Sequence, residues 1–348
     1  MEIDAGLDAV GLAYDVEAQV AVDAAKLGYG RLWTGSLGDP FQTCALRWAE
    51  SRSAVPGGIG TAIGVLPIGI RSPADLALSG AALSRLSGGR FILGIGAGNT
   101  YDPRYRRTWG ITERSPLAIM RAYLTTMRAF LAGERVTCHE HGLSYDNARL
   151  PAEPSPTPLY VGTVGPEMAK LSGELADGVY LSWCTPENVT EMRAYMVEGA
   201  VRTGRDPEHT QLAASVRVCV DDDVSVARRA LAAALLPYVL GWDGNPPPPF
   251  RANFERMGFG KEVAEIDRMK ASGLDRQQLI EEFPERMLQG LGYFGPPAGA
   301  GDAVRRRAKD ADIAVVRLVP ARAGSVESIH AILEACRPDT AAPAPADS

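Results

Sequence analysis

Three segments of the chain repeat one order of apolar and polar positions. Residues 24–34, 83–94 and 171–182 each begin with the apolar end of a helical stretch, pass through a short turn that contains glycine, and finish in a brief apolar run. A glycine just after a helix, followed directly by a short strand, is typical of a helix-to-strand connection. The pattern therefore predicts strands and helices that alternate along the chain.

Short β-rich runs predict eight strands with helical patterns between them. The predicted strands are Ile3–Ala9, Arg31–Thr34, Gly58–Val65, Phe91–Gly96, Leu159–Gly162, Gly178–Ser182, Leu212–Val220 and Ala314–Leu318. The predicted helices cover 15–27, 40–51, 73–86, 115–132, 166–175, 186–203, 224–240 and 302–310. Eight such units predict an α/β fold, a (β/α)8 TIM barrel, with a doubly wound parallel sheet as the alternative.

Two segments do not fit the plain repeat. Residues 133–158 predict a hairpin and a proline-rich connector. Residues 241–290 contain a stretch rich in glycine and proline and two predicted helices, 261–272 and 275–289. We interpret both segments as insertions at the C-terminal face of the barrel, the second one as a lid over the pocket.

The composition fits one large globular unit. The chain has 348 residues, 46% of them hydrophobic, which predicts a single barrel domain over residues 1–338 and a disordered tail over 339–348. The net charge of −6 argues against nucleic acid or an anionic membrane surface as a partner. No apolar run reaches the roughly 18 residues of a membrane span.

The cysteines and histidines indicate neither a disulfide framework nor a metal site. Five cysteines are spread along the chain without a CxxC pair, which predicts a reducing, cytoplasmic location. His139 and His141 flank Glu140 beside Cys138, but alternation on a hairpin would put the histidines on one face and Cys138 on the other. No histidine is expected near Cys184, so a cysteine nucleophile is not predicted.

The fourth predicted strand ends in glycines at every second position, Gly94, Gly96 and Gly98, followed by Asn99. Glycine in a strand marks a bend or the close approach of another group. Gly98 and Asn99 lie at the rim where barrels bind ligands, so their main chain is a candidate for ligand contact. For Gly94 and Gly96 two interpretations stay open, room for a ligand and room for packing inside the barrel.

Two further strand ends have sequences that indicate a phosphate site and a bulge. The sequence Gly162-Thr163-Val164-Gly165 runs into a predicted helix, whose free amides could bind phosphate; an ordinary strand-to-helix turn is the alternative. In the third strand, Pro67 forbids regular pairing close to Gly64, which predicts a bulge there. A dinucleotide-binding fingerprint is not predicted, because its last glycine is missing and no apolar helix follows Asn99.

Residues 60–99, 27–41 and 158–183 together resemble the luciferase-like monooxygenase superfamily. Within it the chain is similar to the deazaflavin (coenzyme F420)-dependent branch, which includes methylenetetrahydromethanopterin reductase. The resemblance implies a TIM-type barrel, often dimeric, with a planar ring bound at the C-terminal mouth. It also implies a non-prolyl cis peptide bond within Ala62–Val65, which forms a bulge behind the ring.

The resemblance implies a function and a set of cofactor contacts. The function is hydride transfer between coenzyme F420 and an unidentified small-molecule substrate. The alternatives are an FMN-dependent monooxygenase and a flavin-binding barrel without turnover. The implied cofactor-binding residues are Thr34, Ile63, Gly64, Val65, Ala97, Gly98, Asn99, Gly162, Thr163, Val164 and Gly165.

The chain departs from its relatives at the acid–base positions. The Asp-His or acid that many relatives carry after strand two is missing, and Asn99 stands where the sugar-phosphate dehydrogenases of the group carry Glu. We therefore reject sugar-6-phosphate oxidation. Hydride transfer needs contact and the exclusion of water more than a strong acid or base. The catalytic residue is left unassigned, with Ser36, Asn99 and Trp183 as candidates.

Several other polar residues allow two interpretations each. Arg217, within the seventh predicted strand, pairs with a core carboxylate or binds an anion of the cofactor or substrate. The cluster of Arg104, Arg106 and Arg107 attracts the polyanionic tail of a deazaflavin or pairs with acidic residues. Asp39 caps a helix or contacts a ligand.

Overall fold

The computed structural model describes residues 1–8, 12–36, 38–112, 115–241 and 249–339. The strands are β1 (Glu2–Gly6), β2 (Arg31–Thr34), β3 (Gly60–Pro67), β4 (Phe91–Gly96), β5 (Val136–Cys138), β6 (Tyr145–Ala148), β7 (Leu159–Thr163), β8 (Gly178–Ser182), β9 (Gln211–Val220), β10 (Gly292–Gly295) and β11 (Ile313–Leu318). The helices are α1 (Tyr14–Lys26), α2 (Pro40–Ser51), α3 (Pro73–Leu86), α4 (Pro103–Trp109), α5 (Pro116–Leu131), α6 (Pro166–Leu175), α7 (Pro186–Arg202), α8 (Val224–Leu240), α9 (Phe250–Phe254), α10 (Gly260–Ala271), α11 (Arg276–Glu281), α12 (Glu285–Leu291), α13 (Ala300–Arg307) and α14 (Val326–Ala335).

The strands form a closed parallel barrel. Their order around it is β1-β2-β3-β4-β7-β8-β9-β11, and β11 pairs with β1 to close the sheet. The short strand β10 adds to the upper part of β9, and β5 and β6 form a separate antiparallel hairpin. The predicted (β/α)8 TIM barrel is confirmed, and the doubly wound alternative is wrong because the sheet has no open edge at β1.

Proline begins most of the helices that lead away from the mouth of the barrel, since its fixed φ suits the first helical position. It stands there in α2 to α7, as Pro40, Pro73, Pro103, Pro116, Pro166 and Pro186. Five of these helices are also capped by the preceding side chain, namely Asp39, Ser72, Asp102, Ser115 and Thr185. Helix α6 has no such cap, because Gly165 precedes it.

Large aromatic side chains fill the barrel below its mouth. Trp33 is fully buried, as its place in the strand predicts, and stacks on Tyr180 with ring centres 5.0 Å apart. Its indole N–H donates to Asp4 at 2.6 Å, and Tyr160 packs against its ring at 5.9 Å. The lower barrel is therefore a packed core, and ligand space exists only above it.

The insertions are partly as predicted. The hairpin of residues 133–158 is present, and α10 matches the helix predicted at 261–272. The single helix predicted at 275–289 is wrong: α11 and α12 are separated at Pro284, which lacks an N–H and disfavours helical geometry in the residue before it. The sequence patterns also did not predict α4, α9 or β10.

The fold does not test the predictions made for the lid, the tail and the domain boundary. Residues 242–248 and 340–348, which include part of the proposed lid and nearly all of the predicted tail, lie outside the described residues. The division into one domain over 1–338 stays a prediction. Across the described ranges, every helix is too short or too polar to cross a bilayer.

Candidate functional site

A bulge in β3 forms the floor of the barrel mouth. Ile63 pairs with Leu93 on β4, but the next pair is Leu66 with Ile95, so two residues of β3 oppose one of β4. The two residues are Gly64 and Val65, which together oppose Gly94, and the peptide bond between them is cis. The predicted bulge and the predicted non-prolyl cis bond within Ala62–Val65 are both confirmed.

The glycines around the mouth make room for this bulge. A Cβ on Gly64 would lie 2.8 Å from the ring of Trp33, so only glycine fits above the aromatic core. Val65 then fills the space beside three glycines on two strands, β4 and β7: a Cβ on Gly94, Gly96 or Gly162 would lie 3.1, 2.5 or 2.8 Å from its methyl groups. For Gly94 and Gly96 the packing interpretation is therefore correct. The half-buried Val65 side chain, and not a bare strand, faces the mouth.

The loop after β4 is held close to β3. Gly98 has φ +56°, and a Cβ there would lie 2.5 Å from that of Pro67. Ala97 and Asn99 are half-buried beside it, and the Asn99 side chain accepts a hydrogen bond from the Tyr101 hydroxyl at 3.3 Å. Gly98 is exposed at the rim and its tight turn also serves packing, while contact of this loop with a ligand stays a prediction.

The loop after β7 presents an uncapped helix N-terminus. The Thr163 hydroxyl bonds to both main-chain groups of Gly165, which shapes the turn into α6. The carbonyl of Val164 accepts a hydrogen bond from the Arg256 guanidinium, which lies between α9 and α10. An N-terminus without a side-chain cap, next to a cation, favours a bound anion.

Two of the predicted cofactor residues point away from the mouth. Thr34 and Ile63 are fully buried and occupy the helix-facing side of their strands, since Trp33 and Ala62 beside them face the barrel interior. Any contact that they make with a cofactor is through the main chain. Ser36 is half-buried after β2, and Leu37 lies outside the described residues. Asp39 caps α2 and forms an ion pair with Arg71 at 2.6 Å.

The opposite side of the mouth carries charge. Arg317 at the end of β11 forms an ion pair with Asp8. Burial opposes ionisation of Asp8, but Arg317 outweighs it and keeps the pKa of this carboxyl below its usual value. Arg217 lies beside Arg317 in the strand register and donates to the Ser182 hydroxyl at 3.0 Å. Sequence reasoning missed Asp8 and Arg317; an arginine inside each of two apolar strands was the available signal.

Trp183 lies behind this charged side and not on its surface. Its side chain is fully buried, its backbone has φ +54°, and the guanidinium of Arg217 stacks over its ring at 3.6 Å. The ring of Tyr238 packs edge-on against Trp183 at 5.4 Å. The structure thus gives Trp183 a supporting position beneath Arg217, and its candidacy as a catalytic residue stays a prediction.

The three arginines after β4, Arg104, Arg106 and Arg107, differ in their contacts and exposure. Arg106 is half-buried and donates to the carbonyls of Thr100 and Tyr101, so it holds the rim loop in place. Arg104 lies 3.6 Å from Asp102, and Arg107 is exposed. Only the last two present charge to solvent for a long acidic ligand.

A groove of about 590 Å³ lies between the start of α7 and the second insertion. It is lined by residues that include three arginines, Arg256, Arg286 and Arg307, and two acids, Glu187 and Glu191. Arg256 connects the groove to the β7 loop through Val164. The groove therefore lies next to the loop that follows β7.

The remaining nucleophile and metal candidates give no site. Burial raises the pKa of the Cys184 thiol to about 11, so the thiolate is scarce at neutral pH. His139 is exposed on the hairpin, 3.0 Å from Asp146. Within the described part of the chain, no group of three metal-ligating side chains comes together.

Comparison with known proteins agrees with this geometry. A family model described as luciferase-like monooxygenase matches residues 2–312. The 5,10-methylenetetrahydromethanopterin reductase of Methanolobus tindarius is 32% identical over 49% of this chain and 52% of its own length. The F420-dependent hydroxymycolic acid dehydrogenase of Mycobacterium tuberculosis is 30% identical over 60% of this chain and 56% of its own. The chain thus matches only about half the length of these curated relatives.

A solved structure extends the similarity to the whole fold. The coenzyme F420-dependent tetrahydromethanopterin reductase from Methanopyrus kandleri superposes with a TM-score of 0.75, over 96% of this chain and 98% of that one. The sequences are only 21% identical, so this match speaks for the shared barrel alone.

Proposed function

The chain belongs to the luciferase-like monooxygenase family, and we propose that it is an oxidoreductase that transfers a hydride between coenzyme F420 and a small organic substrate. The named relatives that depend on F420 support this choice of cofactor. The identity of the substrate and the direction of transfer are left open in the proposal. A flavin-binding barrel without turnover is the outcome that the assays below must exclude.

The residues at the mouth fit a planar ring that carries a phosphate. Val65 offers a half-exposed apolar surface on a floor that the aromatic core holds from below. The start of α6 has no side-chain cap, so it offers main-chain donors to a phosphate group just after Gly165. These two features lie on neighbouring parts of the barrel, because β4 pairs with β3 on one side and with β7 on the other.

When bound, the deazaflavin would supply the ring carbon that gives up or takes up the hydride, and this chain's residues would supply position and surroundings. Val65 would support one face of the ring and leave the other face to the substrate. The loop after β4, held by Arg106, borders the ring with main-chain groups of Ala97 and Gly98. Few ionisable groups are needed, because positioning and exclusion of water carry most of the rate enhancement.

The observation that carries the proposal is the bulge of Gly64 and Val65, with three glycines arranged around it. Its test is a titration of the purified chain with coenzyme F420 and, separately, with FMN, each followed by fluorescence. We expect saturable binding of F420 at micromolar concentration and binding of FMN at least tenfold weaker. Oxidation of reduced F420 by a panel of carbonyl, imine and alkene acceptors then tests turnover.

The same titration decides between the candidate functions. Tight binding of FMN without binding of F420 would replace the proposal with the FMN-dependent monooxygenase. Binding of F420 without oxidation of the reduced form by any acceptor, and without reduction of F420 by alcohols, would favour a non-catalytic binding protein.

Two broader parts of the proposal concern the assembly and its location. We propose a homodimer in the cytoplasm; the resemblance to dimeric relatives supports the first part and the spread of unpaired cysteines the second. Light scattering coupled to gel filtration measures the mass against 37.1 kDa for one chain, and cell fractionation tests the location.

A further inference from the structure

The top layer of the barrel interior has two unlike sides. On β3, β4 and β7 it consists of Val65 and glycines, and it is apolar and uncharged. On β8, β9 and β11 the strand alternation that turns Tyr180, Ala213 and Val315 inward also turns Ser182, Arg217 and Arg317 inward, two residues further along β8 and β11 and four further along β9. A ring on the apolar side therefore has cations across the mouth from it.

One of the two cations already has a counter-charge. Arg317 pairs with Asp8, and a Cβ on Gly35 would lie 2.2 Å from that carboxylate, so the pair packs closely against the chain after β2, while the Asp8 side chain is 43% exposed. Even so, the buried Nη1 of Arg317 has no hydrogen-bond partner within the described residues. One donor of this ion pair is left for another acceptor.

The second cation has no carboxylate within ion-pair distance among the described residues, although Asp8 acts on it from further away. Arg217 is 7% exposed, and its contacts are the Ser182 hydroxyl and the rings of Trp183 and Tyr238, at 3.6 and 5.5 Å from the guanidinium carbon. Burial lowers the pKa of Arg217, and the charge of Arg317 adds to this, but a guanidinium stays protonated at neutral pH. Two guanidinium groups and one carboxylate leave this wall with one excess positive charge.

An enclosed, unbalanced cation is costly unless an anion joins it. The stacked rings hold the guanidinium plane without supplying a negative charge. They fix its orientation, so its remaining N–H groups form a preorganised fork. An unbalanced buried cation destabilises the fold. A guanidinium held in a fixed plane is, however, what recognition of a planar anion requires.

We infer that Arg217 is the anchor for the carboxylate group of the substrate, so that the substrate is a small organic acid. The inference rests on the proposed function, because it takes the apolar side of the mouth as the place of the cofactor ring. The anion is assigned to the substrate because the donors suited to the cofactor's phosphate lie at the β7 loop, with β8 between that loop and Arg217. The two anions then have separate sites.

The test compares acids with their uncharged amides on the F420-loaded chain. Benzoate and benzamide, and acetate and acetamide, are titrated by calorimetry and by tryptophan fluorescence, which Trp183 beneath Arg217 should report. We expect the wild type to bind each acid at least tenfold more tightly than its amide. In Arg217→Met this preference should vanish. In Arg217→Lys the logarithm of the ratio between acid affinity and amide affinity should fall by about half.

Controls separate this inference from the proposed function. Arg85→Met removes an exposed arginine at the end of α3 that points away from the mouth, and it should keep the full preference. The affinity for F420 should stay within twofold of the wild type in all variants. If Arg217→Met fails to fold, judged by circular dichroism, the lysine variant carries the comparison.

Three results would overturn the inference. The first is a wild type that binds acids and amides equally. The second is an Arg217 variant that loses F420 instead of the acid, which would assign the residue to the cofactor. The third is inorganic phosphate outcompeting both acids at Arg217. Failure of F420 to bind at all contradicts the proposed function only, and acid binding is then measured on the free chain.

Discussion

Single residues decide the shape of the mouth. The alternating glycines of β4 were conspicuous in the sequence, but their two interpretations could not be separated there, because the deciding neighbour is a side chain on another strand. Val65 and the carbonyl of Ile63 occupy the space that Cβ atoms would need. Pro67 and Gly64 did predict the bulge, since proline cannot pair regularly within a central strand.

Gly94→Ala should be strongly destabilising. The new methyl group would lie 2.1 Å from the Ile63 carbonyl oxygen, a main-chain atom fixed by the barrel, so the strands must move. We expect the free energy of unfolding to fall by about 2–3 kcal/mol in urea denaturation. Gly260→Ala is the matched control, because nothing lies within 4 Å of its Cβ position and its backbone is helical. Equal stability of the two variants would contradict the close approach.

Asp4 should make the stability of the barrel depend on pH. Burial raises its pKa from 3.8 to about 7, although Arg31 acts in the opposite direction. Between these values the folded chain holds a proton that the unfolded chain releases, so stability falls as pH rises and the proton's contribution is lost above pH 7.

Asp4→Asn removes this dependence. Relative to the wild type, the variant should gain about 1 kcal/mol in free energy of unfolding between pH 6 and pH 8. Urea denaturation of both proteins at these two pH values measures the difference. A difference that does not change with pH would show that the carboxyl is ionised in the folded chain throughout this range.

At the scale of elements, the sequence predicted the regular units well and the insertions poorly. Strands and helices that alternate around the barrel are marked by turn glycines and by prolines at the first helical position. The second insertion follows no repeat, so its helical period extended across Pro284 into a single predicted helix. The short helix α4 has no buried side chain, and periodicity could not reveal it.

The loop after β4 depends on one of its three arginines. Arg106 donates to two loop carbonyls, whereas Arg107 is exposed. Arg106→Ala should therefore raise the rate of amide hydrogen exchange over residues 97–102 by about tenfold, while Arg107→Ala leaves it unchanged. Equal exchange in the two variants would mean that the loop does not need this support. Substituting all three arginines at once would mix this effect with any loss of charge toward an acidic ligand.

At the scale of the whole molecule, the barrel gathers residues that are distant in the chain. Asp8, Ser182, Arg217 and Arg317 meet at one side of the mouth because they lie on, or shortly after, four strands that are neighbours in the closed sheet. No local pattern could predict which of their charges are paired. The eight repeated units were enough to predict the barrel, but the division of its mouth into an apolar and a cationic side required the structure.

The central claim is that the bulge of β3 is the floor on which a phosphorylated planar cofactor lies. A crystal structure of the chain grown with coenzyme F420 tests it most directly. We expect one face of the ring against Val65 and the phosphate at the main chain that begins α6. A ring bound elsewhere, or a mouth that stays closed by the chain's own side chains at saturating F420, would contradict it.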